Sequence, residues 1–238
     1  MDIFLPANYA SDQPTVFIVH GGAWKYGRKE HMIMIQKYLY ENQIPTVNIN
    51  YRLASKKKGI TYREQLADIE KSVLEFSRLA PKANLMPDNL IILGESAGAH
   101  LALLYGYNNP QHIRKIISMS GPTDFFTADY LSSKHSFYSA PTIQTVVGEK
   151  FERKNISEKF VEASPISHVS DVPTLIFQGD TDYLVNRKQG LALDSILTEK
   201  NIPHKLIYMK NTGHTPRFFS KQKRDSLILP EILNWIKK

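Results

Sequence analysis

Residues 90–100 read Leu-Ile-Ile-Leu-Gly-Glu-Ser-Ala-Gly-Ala-His, a stretch in which an apolar run leads into a serine flanked by small residues. The apolar run Leu90–Leu93 is followed at once by Gly94-Glu-Ser-Ala-Gly98 and then by a segment of helical composition. A serine between a buried strand and a helix lies on a tight turn, and flanking small residues let the two elements approach closely. The hydroxyl of Ser96 is therefore expected at the carboxyl edge of a sheet, beside the free N–H groups of a helix N-terminus.

Short apolar segments alternate with longer segments of helical period along the rest of the chain. This alternation predicts an α/β fold, a mostly parallel sheet with helices on both faces. The candidate strands are short, β-branched and apolar without clean alternation, as expected for strands buried on both faces. These strands are Thr15–Val19, Thr46–Asn50, Leu90–Leu93, Lys115–Met119, Thr174–Phe177 and Lys205–Tyr208. The candidate helices are Met32–Glu41, Thr61–Ala80, Ser96–Tyr107, Arg187–Lys200 and Asp225–Lys237.

The composition is that of an ordinary globular protein. The chain has 238 residues, of which 42% are hydrophobic and 22% charged, which argues against disorder and predicts a single domain over residues 1–238. With no cysteine in the sequence, disulfides, cysteine-ligated zinc and a thiol nucleophile are excluded. No sequence motif implies a metal or an organic cofactor.

The chain is basic, with 30 Lys+Arg against 23 Asp+Glu and a net charge of +7. These basic residues are scattered, apart from Lys56-Lys57-Lys58 and a loose C-terminal set, so we expect a solvated basic surface and no nucleic-acid partner. No segment has the length of a membrane span, and the N-terminus shows no signal peptide. A cytoplasmic and a processed secreted location both remain open, as does the oligomeric state.

Residues 124–169 interrupt the alternation of strands and helices. Aromatic residues cluster there: Phe125, Phe126, Tyr130, Phe137 and Tyr138. An irregular insert of this length in a compact domain is usually functional, so it is expected to be a cap or lid. The alternative is a small helical excursion that packs its own aromatic residues.

A second glycine motif, His20-Gly-Gly-Ala-Trp24, follows the strand Thr15–Val19. Acyl transfer builds negative charge on a carbonyl oxygen, so the site needs N–H donors with no side chain in the way. The backbone N–H groups of Gly22, Ala23 and Ala97 are the expected donors of this oxyanion hole. His20 is expected to brace the loop.

A serine hydroxyl needs a base to take its proton and an acid to orient that base. Gly179-Asp-Thr-Asp182 and Gly213-His214 each follow a candidate strand, where catalytic groups gather in open α/β sheets. We expect His214 to be the base, behind a glycine that lets its loop turn, and Asp182 to be the acid. Asp180 is the alternative acid and is otherwise expected to stabilise the turn. His100, one helical turn beyond Ser96, is expected to pack or cap.

With these motifs the chain resembles an α/β hydrolase of the carboxylesterase and hormone-sensitive-lipase-like group, and within it small acetyl-xylan or feruloyl esterases. The motifs that carry the resemblance are His20-Gly-Gly-Ala-Trp24, Asn50-Tyr-Arg-Leu53, Gly94-Glu-Ser-Ala-Gly-Ala-His100, Ala163-Ser-Pro165, Gly179-Asp-Thr-Asp182 and Gly213-His214. The resemblance implies a hydrolase of small ester substrates that needs no cofactor. In this group the acid lies three residues after the glycine, which is Asp182 here.

Two features depart from that pattern. Family members usually carry a β-hairpin before the first glycine motif, and only Met1–Leu5 could remain of it, so either the sheet is trimmed or the chain is a piece of a longer precursor. The motifs also resemble kynurenine formamidase, so an amidase is the first alternative. A hydrolase fold used as a non-catalytic binding module is the second.

Aromatic residues beside the expected catalytic groups are candidates for the walls of a substrate pocket, with core packing as the alternative for each. Trp24 follows the oxyanion loop, Tyr183 follows the acid, and Phe218 and Phe219 lie just beyond the base. An ion pair between Arg52 and Asp68 is a further expectation, with ordinary exposure of both side chains as its alternative.

Overall fold

The computed structural model describes residues 1–127, 140–152 and 154–238 of the chain. Its centre is a seven-stranded sheet in the order β1-β3-β2-β4-β5-β6-β7. Every neighbouring pair is parallel except β1 with β3. The strands are β1 Asp2–Phe4, β2 Thr15–Val19, β3 Thr46–Ile49, β4 Leu90–Glu95, β5 Ile113–Met119, β6 Thr174–Gly179 and β7 His204–Met209.

The helices are α1 Ile33–Glu41, α2 Tyr62–Leu79, α3 Ala97–Asn108, α4 Ala140–Val147, α5 Glu158–Glu162, α6 Lys188–Glu199, α7 Pro216–Phe219 and α8 Leu229–Lys237. Five of them, α1, α2, α3, α6 and α8, lie at or close to the bounds expected from the sequence, whereas α4, α5 and α7 had no expected bounds. Short turns of 3₁₀ helix add Lys29–Met32, Lys56–Lys58, Ala80–Ala83 and Pro165–His168. The turns Lys221–Lys223 and Arg224–Ile228 lead into α8, so the candidate helix Asp225–Lys237 begins later as a regular α-helix than expected.

The start of α2 shows how local sequence sets an element. Thr61 accepts a hydrogen bond from the N–H of Arg63, and Glu64 accepts one from the N–H of Thr61 at 2.7 Å. This reciprocal capping satisfies donors that have no partner inside the helix. The apolar stripe of α2 then lies against the sheet, with Ile69, Val73 and Phe76 buried.

The strands separate two apolar cores, which explains why they lack a polar face. On β2, Phe17 and Val19 face the core formed with α2 and α3, whereas Val16 and Ile18 face the core formed with α1 and α8. Successive side chains of a strand point to opposite faces, so a strand covered on both sides must be apolar throughout.

Only Met1–Leu5 could remain of the hairpin that is usual in the family. In the structure this N-terminal segment forms the short edge strand β1. It pairs antiparallel with β3, with Asp2 opposite Asn48 and Phe4 opposite Thr46. The Lys29 ammonium also pairs with the Asp2 carboxylate at 2.5 Å, which fixes this edge to the turn that precedes α1.

In the described part of the insert 124–169, two short helices, α4 and α5, pack onto the domain. Phe125, Ile143, Val146 and Phe160 are fully buried in the core shared with α2 and α3. This packing favours the helical excursion among the two expectations, while the role of a lid stays a prediction. Tyr130, Phe137 and Tyr138 lie outside the described residues.

Within the described ranges, no helix combines the length and the hydropathy that are needed to cross a bilayer.

Candidate active site

Ser96 occupies the sharp turn between β4 and α3. Its backbone has φ 56° and ψ −122°, a conformation that side-chain-bearing residues rarely adopt. The Ser96 N–H donates to the carbonyl of Met119 on β5 across 2.8 Å, which fastens the turn to the neighbouring strand. Such strain persists only where the surroundings enforce it, and it is concentrated at functional sites.

The glycines around Ser96 are required by close backbone contacts. A Cβ added at Gly94 would lie 2.2 Å from the carbonyl oxygen of Gly98, and one at Gly98 would lie 2.3 Å from that of Val19. Both clashes involve backbone, which cannot move aside as a flexible side chain can. The motif therefore allows β4, α3 and β2 to meet beneath the serine.

His214 lies between Ser96 and Asp182. Its Nε2 is 2.8 Å from the Ser96 hydroxyl oxygen, and its Nδ1 is 2.8 Å from Oδ2 of Asp182. Because a carboxylate can only accept hydrogen bonds, the proton on Nδ1 faces Asp182 and Nε2 is left to accept from the serine. The structure thus brings together the serine, base and acid expected from the sequence, which are distant along the chain.

The Asp182 side chain is fully buried, and its second oxygen is held by backbone. Oδ1 accepts from the N–H of Leu184 at 3.0 Å and from that of Val185 at 2.9 Å. These bonds leave Oδ2 directed at His214. A buried carboxylate is tolerated where its oxygens are hydrogen-bonded in this way.

Asp180, the alternative acid, bonds elsewhere. Its Oδ1 accepts from the backbone N–H of Thr212 at 3.2 Å. This hydrogen bond holds the pKa of Asp180 below its ordinary value. Asp180 therefore connects the loop of Asp182 to the loop of His214 and takes the turn-stabilising part expected of it.

The loop after β2 coils back beside the serine. Gly22 has φ +126°, and a Cβ there would lie 2.2 Å from the carbonyl oxygen of Tyr26. Ala23 and Trp24 also have positive φ values, 48° and 60°. Gly22 and Ala23 line the same cavity as Ser96, and Ala97 is the first residue of α3, where an N–H has no intrahelical acceptor.

His20 is buried beneath this loop. Its Nδ1 lies 2.8 Å from the carbonyl oxygen of Gly21, and its ring stacks on Tyr51 at 4.2 Å. The Tyr51 hydroxyl donates to the His20 carbonyl at 2.7 Å. Burial lowers the pKa of His20 and favours a neutral ring, which suits a bracing residue.

The cavity at Ser96 has a volume of about 360 Å³. Its lining includes Phe218, as expected, together with five residues that the sequence did not indicate: Tyr26, Gly27, His31, Leu184 and Thr215. A larger cleft of about 580 Å³ lies between residues 55–61 and 141–150, and neither the serine, the base nor the acid lines it. The position of the reactive side chains therefore identifies the smaller cavity as the candidate site.

The expectation that Trp24 walls the pocket is wrong. Its side chain is fully buried, and its indole Nε1 donates to Nδ1 of His100 across 3.0 Å. Trp24 has a positive φ, and its side chain packs in the core. The centroid of its ring lies 5.7 Å from that of the Phe125 ring. His100, expected to pack or cap, is likewise completely buried beside Trp24.

Tyr183 and Phe219, also expected as wall residues, are not part of the cavity lining. The side chain of Tyr183 is 63% exposed, whereas the next residue, Leu184, lines the cavity. The Leu184 N–H donates to Asp182 in the same turn, where Leu184 and not Tyr183 lies at the cavity.

Arg52 and Asp68 form the expected ion pair. Nε of Arg52 lies 2.8 Å from Oδ2 of Asp68, and Nη2 lies 2.8 Å from Oδ1. The Arg52 guanidinium also donates to the Glu64 carbonyl at 3.0 Å, so the pair joins the segment after β3 to α2.

Within the described residues, no group of three or more His, Cys, Asp or Glu side chains is arranged to hold a metal ion.

Comparison with known proteins adds family information to this geometry. The model of the BD-FAE family matches residues 1–197. A probable isoprenylcysteine alpha-carbonyl methylesterase of Arabidopsis thaliana is 22% identical over 245 residues, covering 95% of this chain. The chain spans 50% of the length of that relative.

Solved structures share the fold. A truncated carbohydrate esterase from gut microbiota superposes with a TM-score of 0.80 at 21% identity, covering 99% of this chain and 90% of the other. An acetyl ester-xyloside bifunctional hydrolase from Caldicellulosiruptor lactoaceticus superposes with a TM-score of 0.80 at 17% identity, covering 99% and 86%. These likenesses show that the chain has the α/β-hydrolase fold.

Proposed function

The chain belongs to the BD-FAE family, and from this premise we propose that it hydrolyses carboxylic esters with short acyl or aryl groups by a serine mechanism. The observation that carries the proposal is the His214 ring, which lies 2.8 Å from the Ser96 hydroxyl oxygen and 2.8 Å from the Asp182 carboxylate. This is the arrangement by which a weak alcohol nucleophile is activated.

In the first half of the proposed reaction, Ser96 forms an acyl-enzyme. Nε2 of His214 takes the hydroxyl proton as the serine oxygen attacks the acyl carbonyl, and Asp182 holds the ring in the tautomer that can accept it. The tetrahedral intermediate then collapses as His214 returns the proton to the leaving alcohol. In the second half, His214 deprotonates a water molecule that attacks the acyl-enzyme, and it then returns this proton to the Ser96 oxygen as the acid leaves.

The backbone N–H groups of Gly22, Ala23 and Ala97 are proposed to hold the oxyanion. Gly22 and Ala23 line the cavity beside Ser96, and Ala97 begins α3. A helix N-terminus and preplaced amides favour negative charge that develops in the transition state.

The size of the cavity supports small substrates. A volume of about 360 Å³ lies at the lower end of the range for small-molecule sites. Leu184 and Phe218 give it apolar surface beside the serine. Two structural neighbours are named as a carbohydrate esterase and as an acetyl ester-xyloside hydrolase, so acetylated carbohydrates belong among the candidate substrates.

The proposal is tested by replacing the nucleophile. Ser96→Ala is expected to lower kcat for p-nitrophenyl acetate by on the order of 10⁴-fold and to abolish labelling by a fluorophosphonate probe. Ser195→Ala, which changes an exposed serine on α6, is the matched control and should keep both. Near-wild-type hydrolysis by the Ser96 variant would refute the proposal, and a wild type that is neither active nor labelled would favour a binding module.

The leaving group is tested separately, because an amidase would use the same residues. We expect a higher kcat/KM for aryl acetates, feruloyl esters or acetylated xylan than for N-formylkynurenine. The reverse order would assign the chain to the amidase alternative.

A further inference from the structure

A buried ion pair lies directly beneath the candidate site. Nε and Nη2 of Arg217 lie 2.6 and 2.7 Å from the two carboxylate oxygens of Glu95. The side chain of Arg217 is fully buried and that of Glu95 is 7% exposed. Two parallel charge-assisted hydrogen bonds of this kind fix the relative orientation of the groups as well as their distance.

The pair joins segments that each carry part of the site. Glu95 immediately precedes Ser96 at the end of β4, and Arg217 follows His214 by three residues, in α7. Nη2 of Arg217 also donates to the carbonyl of His31 at 3.1 Å, and His31 lines the cavity. The Arg217 guanidinium thus contacts the serine turn, the base loop and the cavity wall near α1.

Arg217 also contacts Phe218, another residue of the cavity lining. Its guanidinium carbon lies 3.7 Å from the centroid of the Phe218 ring, within the range of a cation–π contact. Phe218 and Glu95 both line the cavity.

The pair is poorly suited to a role in stability alone. Nη1 of Arg217 is buried and makes no hydrogen bond within the described residues, and an unpaired buried donor is unfavourable. Replacing a buried ion pair by apolar side chains of similar size is often neutral or stabilising, whereas removing one partner leaves a buried charge. Apolar side chains cannot supply the two directional hydrogen bonds that fix Arg217 relative to Glu95.

We propose that Arg217 is a positioning residue, which through its two bonds to Glu95 sets the separation of the Ser96 hydroxyl and the His214 ring. This rests on the proposed function of both residues. A misplacement of about 1 Å lowers the rate of a chemical step by roughly 10²-fold, although the groups themselves are intact. Arg217 is not placed to touch the reacting atoms, so it acts on the chemical step through Ser96 and His214.

The decisive variant removes both charges at once. Glu95→Met combined with Arg217→Met leaves no unpaired charge, so we expect it to fold with a melting temperature close to that of the wild type. Its kcat for p-nitrophenyl acetate is expected to fall by about 10²-fold with little change in KM. Fluorophosphonate labelling of Ser96 should slow in parallel, because it requires the same alignment.

The matched control is Arg224→Met, since Arg224 pairs with Asp225 at 2.6 Å on a more exposed surface. It removes one arginine from the same C-terminal region and should leave kcat and the labelling rate unchanged. A further variant, Arg217→Lys, keeps the positive charge at this position but cannot form the two-pronged contact with Glu95. It should recover only part of the loss, with kcat about tenfold below that of the wild type.

The kinetics of the double variant, of Arg217→Lys and of the wild type together support or overturn the proposal. A folded double variant with kcat within twofold of the wild type, or with a raised KM and unchanged kcat, overturns the proposal. If the double variant does not fold, Arg217→Lys is decisive, because a kcat within twofold of the wild type overturns the proposal and a selective loss of kcat supports it. A wild type that shows neither hydrolysis nor labelling contradicts the proposed function instead.

Discussion

The indole Nε1 of Trp24 donates to Nδ1 of His100 across 3.0 Å, and Nε2 of His100 donates to the carbonyl of Ala163 at 2.8 Å. One ring nitrogen therefore accepts and the other donates, which is the pattern of a neutral imidazole. Burial lowers the pKa of His100 to about 3, partly opposed by the bond to Ala163. His100 thus links the loop after β2, the helix α3 and the end of the insert, and its bond with Trp24 is lost when Nδ1 is protonated.

Acid is expected to destabilise the protein through His100. Its folded-state pKa lies below the ordinary 6.5, so the unfolded chain binds the proton first as the pH falls. The contribution to stability is complete above about pH 6.5 and is lost progressively towards pH 3. At pH 4.5 the loss is roughly 2–3 kcal/mol relative to pH 7.

Urea unfolding at both pH values measures this loss. His100→Gln should be less stable than the wild type at pH 7 but should lose less stability on acidification. An equal loss in both proteins would show that His100 is not its source.

The strained backbone at Ser96 predicts a difference between two inactive variants. Glycine tolerates φ 56° without strain, whereas alanine does not, so Ser96→Gly should be about 1–2 kcal/mol more stable than Ser96→Ala. Thermal unfolding of the two variants measures this directly. A glycine variant that melts at or below the alanine variant would mean that the turn is unstrained.

Glycine at position 98 is expected to be irreplaceable. Gly98→Ala places a Cβ 2.3 Å from the carbonyl oxygen of Val19 and 2.4 Å from that of His20, so stability should fall by about 3 kcal/mol. Gly213→Ala is the matched control, because no atom lies within 4 Å of its added Cβ. Comparable losses of stability in both variants would contradict the close packing of β2 on α3.

The neighbouring residues Phe218 and Phe219 differ in their relation to the cavity. Phe218 is 52% exposed and lines the cavity, whereas Phe219 is 88% exposed and does not line it. Phe218→Ala is expected to lower kcat/KM for aryl acetates about fivefold, through ~1 kcal/mol of lost apolar contact. Phe219→Ala should leave kcat/KM unchanged in the same assay, and equal effects would exclude Phe218 as a wall of the substrate site.

The alternation of elements and the positions of Ser96, Asp182 and His214 could be predicted because each depends on local pattern. A strand followed by Gly94-Glu-Ser-Ala-Gly98 specifies its own turn, and residues after parallel strands meet at one edge of the sheet. Side-chain direction inside loops could not be predicted in this way. Trp24 packs inward through a left-handed backbone, and Leu184 takes the cavity position expected of Tyr183.

The contact between Glu95 and Arg217 could not be predicted from local sequence pattern either. These residues are far apart in sequence, and each by itself reads as an ordinary charged residue. The available signal was their sequence positions, one residue before Ser96 and three residues after His214. That signal could be interpreted only once the folded sheet showed the two segments to be in contact.

The two ends of the insert are bonded to each other. The N–H of Ile166 donates to the carbonyl of Thr123 at 3.0 Å, and the N–H of Phe125 donates to the Ser164 hydroxyl at 2.8 Å. Chain that leaves the scaffold at Thr123 returns to it at Ile166, so residues between them that do not pack into the core can change in number without displacing β5 or β6. Because Phe125, Ile143, Val146 and Phe160 are buried in the core, an exchange of this segment between related chains must keep these four side chains.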